Sequence, residues 1–109
     1  MLCCNTMTST AKTKAATAKE VEKFLKRHSH WKLKNSKLFC QFKFKNFKDA
    51  FCFMTQVAFE SESANHHPEW SNVYNMVTIE LITHDSGPAT SAKDFALAAK
   101  IDLFYLQYK

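Results

Sequence analysis

The 109-residue sequence predicts an α+β domain in which helices pack on one face of an antiparallel sheet. Two observations carry that expectation. Thr17 with Glu20 and Ser91 with Asp94 have the spacing of reciprocal helix caps, each followed by apolar residues at helical period. Between them, apolar residues and lysines alternate in the two-residue period of half-buried strands. A chain this short makes one domain, and such a domain buries only about 60 to 65% of its unfolded surface, so oligomerisation would help it.

The first helix is expected at about 18–28, where Val21, Phe24, Leu25 and His28 share a face. Trp31 and Leu33 alternate with Lys32 and Lys34, Asn35-Ser36 supplies a turn, and Leu38, Cys40, Phe42 and Phe44 then alternate with more polar neighbours; two antiparallel strands follow. Asn46 is placed to cap a second helix whose apolar stripe reads Phe47, Ala50, Phe51, Met54, Val57 and Ala58. Phe53 and Phe59 lie off that stripe and are expected to face a partner subunit. Residues 73–83 read as one long strand, with Val73, Val77, Ile79 and Leu81 on one face and a second face that is also partly apolar. After Gly87-Pro88 the last helix carries Leu97, Ile101, Phe104 and Tyr108. The order is helix, two strands, helix, strand, helix, over residues 18–109, with 1–17 as a flexible tail.

Composition excludes several functions. Ten Phe and a 46% hydrophobic fraction supply a core, so the chain is not disordered throughout. One glycine leaves no Gly-rich phosphate loop, which disfavours nucleotide cofactors bound that way. No apolar run approaches the roughly 20 residues that span a bilayer, so no membrane partner is expected. Residues 1–48 hold twelve Lys and Arg against two acids, but the lysines at 32, 34, 43 and 45 alternate with apolar residues as solvated strand faces do; direct nucleic-acid binding is not expected. The tail before Glu20 is free of acids, a faint likeness to a transit peptide that lacks its Arg. Cys3, Cys4, Cys40 and Cys52 show no C-x-x-C spacing, which fits a reduced, cytoplasmic compartment with the nucleus also open, and Cys40 and Cys52 read as core.

Periodicity fails at Glu62-Ser63-Ala64-Asn65-His66-His67-Pro68-Glu69-Trp70, and loops on rigid elements are where sites are built. Thr83-His84-Asp85 lies at the far end of the expected strand. Imidazoles at 66, 67 and 84 suit general acid/base work, since an unperturbed pKa of about 6.5 populates both forms near neutrality. Pro68 stiffens the loop exit, Trp70 offers a flat face to a heterocycle, and Glu62 or Asp94 can bind polar ring edges or orient an imidazole. Bland readings compete: a His-His pair is more often a surface feature, Trp70 suits a core, and Asp94 suits a cap. Zinc is the weaker functional reading, because adjacent side chains diverge and no H-x-x-x-H spacing is present.

Asn-His-His-Pro-Glu-Trp-Ser-Asn-Val-Tyr-Asn at 65–75, a following strand, Thr-His-Asp at 83–85 and a capped helix with Lys93-Asp94 together resemble the pterin-4a-carbinolamine dehydratase family. The likeness runs from about Trp31 to Ile101. It implies a four-stranded sheet, counting a short strand near Trp70, with three helices, and a homodimer or homotetramer. The implied reaction turns 4a-hydroxytetrahydrobiopterin into quinonoid dihydrobiopterin and water, within tetrahydrobiopterin recycling and without metal or cofactor. By position, His66 and His84 resemble the acid/base pair, His67 resembles the residue that holds the pterin, and Glu62 and Asp94 align with acids of the pocket. The family's Gly-Gly-Leu-Thr type loop is replaced here by Ser86-Gly87-Pro88-Ala89-Thr90-Ser91, one residue longer. Some animal members also act as dimerisation cofactors of a homeodomain transcription factor, which makes a non-catalytic binding module the alternative; a degenerate member acting as an assembly chaperone is a third reading.

Overall fold

The computed structural model describes residues 13–109. Its elements are α1 (Ala18–Arg27), β1 (Lys32–Lys34), β2 (Lys37–Lys43), α2 (Phe47–Ala64), β3 (Glu69–Val73), β4 (Met76–Leu81) and α3 (Ala92–Tyr105), with single 3-10 turns at His84–Ser86 and Leu106–Tyr108. The strands form one antiparallel sheet in the order β1-β2-β4-β3, covered by the three helices.

The expected caps form. Thr17 Oγ1 accepts from the Glu20 amide at 3.1 Å while Glu20 Oε1 accepts from the Thr17 amide at 2.8 Å. Asn46 Oδ1 accepts from the Asp49 amide at 2.8 Å and starts α2. Asn35 and Ser36 take φ of 52° and 65°, the left-handed pair that a two-residue hairpin between β1 and β2 requires. Leu38, Cys40 and Phe42 of β2 and Val77, Ile79 and Leu81 of β4 all face the helices and are buried.

Two expectations are corrected. The long strand at 73–83 is instead a hairpin: β3 and β4 pair from Glu69 opposite Glu80 to Val73 opposite Met76, and the chain reverses at Tyr74 and Asn75. Tyr74 takes φ of 51°, and the Asn72 side-chain amide donates to the Tyr74 and Met76 carbonyls at 3.0 and 2.9 Å. Side-chain amides therefore do the turn's work where no glycine marks it. Val73, grouped by the sequence with Val77, Ile79 and Leu81, is exposed while those three are buried.

The second correction concerns α2, whose buried residues are Ala50, Phe53, Val57 and Ser61. Phe53, expected at a partner surface, is fully buried, with its ring centroid 5.1 Å from Phe42, 4.9 Å from Phe44 and 5.9 Å from Tyr105. Phe47 and Phe51, expected inside, face out along with Ala58, and Phe59 is exposed as expected. A helix with Phe on several faces has no unique apolar stripe; the hollow between the sheet and α3 selects among them. Cys52 is likewise exposed, whereas Cys40 is buried.

Of the expected tail, residues 1–12 lie outside the described residues. Beyond them, Ala15 bridges Ser91 and the Ala16 amide donates to the Thr90 carbonyl at 2.8 Å. Among the described residues no helix is long and apolar enough to cross a membrane.

Candidate active site

α2 ends at Asn65, which adopts the left-handed conformation at φ 52° and ψ 43°. Asparagine tolerates it better than most residues. The turn sends the His66 amide back to the Ser61 carbonyl at 3.0 Å, and Pro68 then prevents the helix from resuming. The two histidines consequently diverge. His66 points inward, with 11% of its side chain exposed, and its Nε2 lies 2.5 Å from Asp94 Oδ1. His67 points outward, 57% exposed, with Nε2 2.9 Å from Glu62 Oε1.

Asp94 is fully buried. As the third residue of α3 it closes the second reciprocal cap, with Oδ2 accepting from the Ser91 amide at 2.9 Å. The same oxygen accepts from Thr83 Oγ1 at 2.9 Å, and Thr83 Oγ1 and Ser91 Oγ are 2.6 Å apart. A buried carboxylate is tolerated here because donors meet both oxygens. Capping and histidine contact, compatible roles in the sequence, are performed by one side chain. Thr83 and Ser91 were missed as site residues; the signal available was the capping spacing at 91–94 together with a hydroxyl beside His84.

His84 begins the turn after β4, its side chain 75% exposed and its Nε2 4.0 Å from Glu69 Oε2. The other oxygen of Glu69 accepts from Lys37 Nζ at 2.6 Å, and that contact raises the lysine's pKa above its ordinary value. A backbone bridge between Thr83 and Ala89 closes the loop that carries His84 and Asp85.

These pieces enclose one cleft of about 390 Å³, lined by Asn65, His66, His67, Ile82, Thr83, His84, Asp85 and Lys93. The end of α2, the end of β4 and the first turn of α3 thus bring all three expected imidazoles to one hollow. Asp94 and Glu62 stand behind His66 and His67 as partners rather than in the lining. Pro68 and Trp70 fall outside the lining, and Trp70, opposite Ile79, packs against the core. A larger hollow of about 430 Å³ between α1 and α3 is lined by Phe24, Phe95 and their neighbours. Its one imidazole, His28, is held 2.6 Å from Asp102, so convergent titratable groups favour the smaller cleft. Among the described residues no group of three or more His, Cys, Asp or Glu is arranged to hold a metal ion.

The fold and the cleft define a class, small α+β proteins with an imidazole-lined hollow at the meeting of two helix ends and a strand end. The family model described as pterin 4 alpha carbinolamine dehydratase matches residues 14–104. The chain belongs to that family. A relative from Solibacter usitatus, provisionally named pterin-4-alpha-carbinolamine dehydratase, is 53% identical over 76% of this chain and 86% of its own. One from Prochlorococcus marinus (strain MIT 9303) with the same provisional name is 47% identical over 80% and 90%. A crystal structure from Brucella melitensis, described as a transcriptional coactivator/pterin dehydratase, has a TM-score of 0.81 at 33% identity over 84% of this chain and 99% of that one. A pterin dehydratase-like protein identified as a RuBisCO assembly factor in the alpha-carboxysome shares the fold at TM-score 0.57 and 24% identity, over 69% of this chain and 86% of that one.

Proposed function

We propose that this chain dehydrates a 4a-hydroxytetrahydropterin to the quinonoid dihydropterin, with His66 and His84 as the acid/base pair and His67 holding the ring. The observation that carries the reading is the convergence of His66, His67 and His84 on one cleft of about 390 Å³, a volume within the ordinary range for small-molecule sites. One imidazolium gives its proton to the 4a oxygen. The C4a–O bond breaks as the N5 lone pair forms the C4a=N5 bond, water departs, and the other imidazole takes the N5 proton. One proton is given and one received, so the pair ends with its two states exchanged. Positioned acid/base groups supply roughly 10²- to 10⁴-fold, which suffices for a carbinolamine that loses water readily once protonated. Glu62 orients His67 and Asp94 orients His66.

The biological setting that fits is recycling of tetrahydrobiopterin after an aromatic hydroxylation. Phe47, Phe51 and Phe59, exposed on α2, support association of the chain with copies of itself. The Brucella structure is described as both a transcriptional coactivator and a pterin dehydratase; here the three cleft imidazoles favour the enzyme. Joint replacement of His66 and His84 by Ala is expected to return decay of 4a-hydroxytetrahydropterin to its uncatalysed rate, and a double variant with undiminished activity refutes the assignment.

A further inference from the structure

We propose that Thr83 and Ser91 are positioning residues that hold His66 in a single tautomer, with Nε2–H bound to Asp94 and Nδ1 left as the nitrogen that exchanges protons in the cleft. The inference rests on the dehydratase reading for its catalytic part and on hydrogen counting for the rest.

A threonine hydroxyl has one proton to give. Thr83 Oγ1 spends it on Asp94 Oδ2, 2.9 Å away, because an ionised carboxylate only accepts. Ser91 Oγ, 2.6 Å from Thr83 Oγ1, must then donate to the threonine oxygen, while itself accepting from the Lys93 amide at 3.2 Å. Every donor in the chain therefore points toward Asp94: Lys93 N–H to Ser91, Ser91 O–H to Thr83, Thr83 O–H to the carboxylate. The Ser91 amide adds a second donor to the same oxygen at 2.9 Å. With its donors gathered on Oδ2, the carboxylate leaves Oδ1 as an acceptor for His66 Nε2, so that nitrogen carries its hydrogen. Imidazole in its neutral form holds one hydrogen, so Nδ1 has the free lone pair. Thr83 is 2% and Ser91 0% exposed, so water does not substitute for either hydroxyl without a rearrangement.

The test compares Thr83→Val, which keeps the branched shape and deletes the hydroxyl, with Thr83→Ser, which keeps the hydroxyl. The tautomer of His66 is read by long-range ¹⁵N imidazole NMR, assigned with His66→Gln, and turnover is read on 4a-hydroxytetrahydropterin. Wild type is expected to show the Nε2–H form. Thr83→Val is expected to lose roughly 10- to 100-fold in kcat, the worth of a hydrogen bond to a charged group, with KM within about twofold and the Nδ1–H form appearing. Thr83→Ser is expected to restore both readouts, and Ser91→Ala to fall between. A wild-type Nδ1–H tautomer overturns the proposal even where a variant fails to fold. So does a Thr83→Val protein with unchanged tautomer and kcat, or a Thr83→Ser protein as impaired as the valine one. A wild-type chain without dehydratase activity defeats the functional reading instead, and the tautomer measurement still judges the network.

Discussion

Replacing Asp94 by Asn separates the charge of the buried carboxylate from its shape. The amide oxygen fits where Oδ2 now sits, accepting from the Ser91 amide and Thr83 hydroxyl, both at 2.9 Å. That leaves an NH₂ group facing His66 Nε2, which is bound to Oδ1 at 2.5 Å in the native chain. Two donors cannot face each other, so His66 must move its hydrogen to Nδ1, and in the proposed arrangement the cleft then meets a donor in place of a lone pair. With this member of the proposed acid/base pair in the wrong tautomer, kcat is expected to fall by about 10²- to 10⁴-fold. Stability changes less. Turning a charge-assisted bond into a neutral one costs about 1 to 2 kcal/mol, and losing a negative charge at the start of α3 about 0.3 to 1 kcal/mol more. At a urea slope near 1 kcal/mol per molar, the midpoint should drop by roughly 1 to 3 M. Stopped-flow decay of the 4a-hydroxy substrate beside a urea titration gives both numbers. An Asp94→Asn protein that folds and turns over at the wild-type rate would refute the reasoning, because the charge and the tautomer would then be irrelevant to the chemistry.

Four further outcomes follow from the packing and the thiols. Phe53→Ala should cost about 3 to 5 kcal/mol, since its fully buried ring sits among Phe42, Phe44, Tyr105 and Tyr108; Phe51→Ala should stay within about 0.5 kcal/mol in dilute monomer and instead change the sedimentation profile if copies associate there. Iodoacetamide at mild alkaline pH, followed by peptide mass analysis, should label exposed Cys52 and spare buried Cys40, whose thiol is pushed up to about 12 by burial and by the charge of Asp102. Because the folded state keeps the Cys40 thiol neutral, its contribution is complete below the ordinary value of 9.0 and fades toward about 12. The stability gap between wild type and Cys40→Ala should accordingly shrink across that window, and a constant gap would count against the shift.

The caps were legible in the sequence because each depends on a side chain and an amide three residues apart, a relation the rest of the fold cannot alter. Strand alternation at 38–44 was legible for a similar reason: one buried face fixes the period. The α2 stripe was not, since Phe47, Phe51, Phe53 and Phe59 offer competing faces and only the shape left between Phe42, Phe44 and α3 decides that Phe53 enters. The β3 to β4 turn hid for a different reason. Tyr74 in a left-handed conformation carries no glycine or proline signal, and the amides of Asn72 and Asn75 that support it bond backbone carbonyls, one of which, at Phe44, belongs to a distant segment.

The site divides along the same line. The histidines stood out because ionisable residues in a stretch without periodicity have no packing role to explain them. Their partners stood out less, since each has an adequate local role: Ser91 and Asp94 as a cap, Thr83 as a strand end. The structure shows the cap and the His66 partner to be one object, because the first turn of α3 is aimed at the end of α2. The amide that starts the helix and the imidazole share a carboxylate, which couples the orientation of α3 to that of His66. A substitution that loosens the start of α3 should therefore be felt at His66 before it is felt in the core, where Leu97, Ala98 and Ile101 hold the rest of the helix in place.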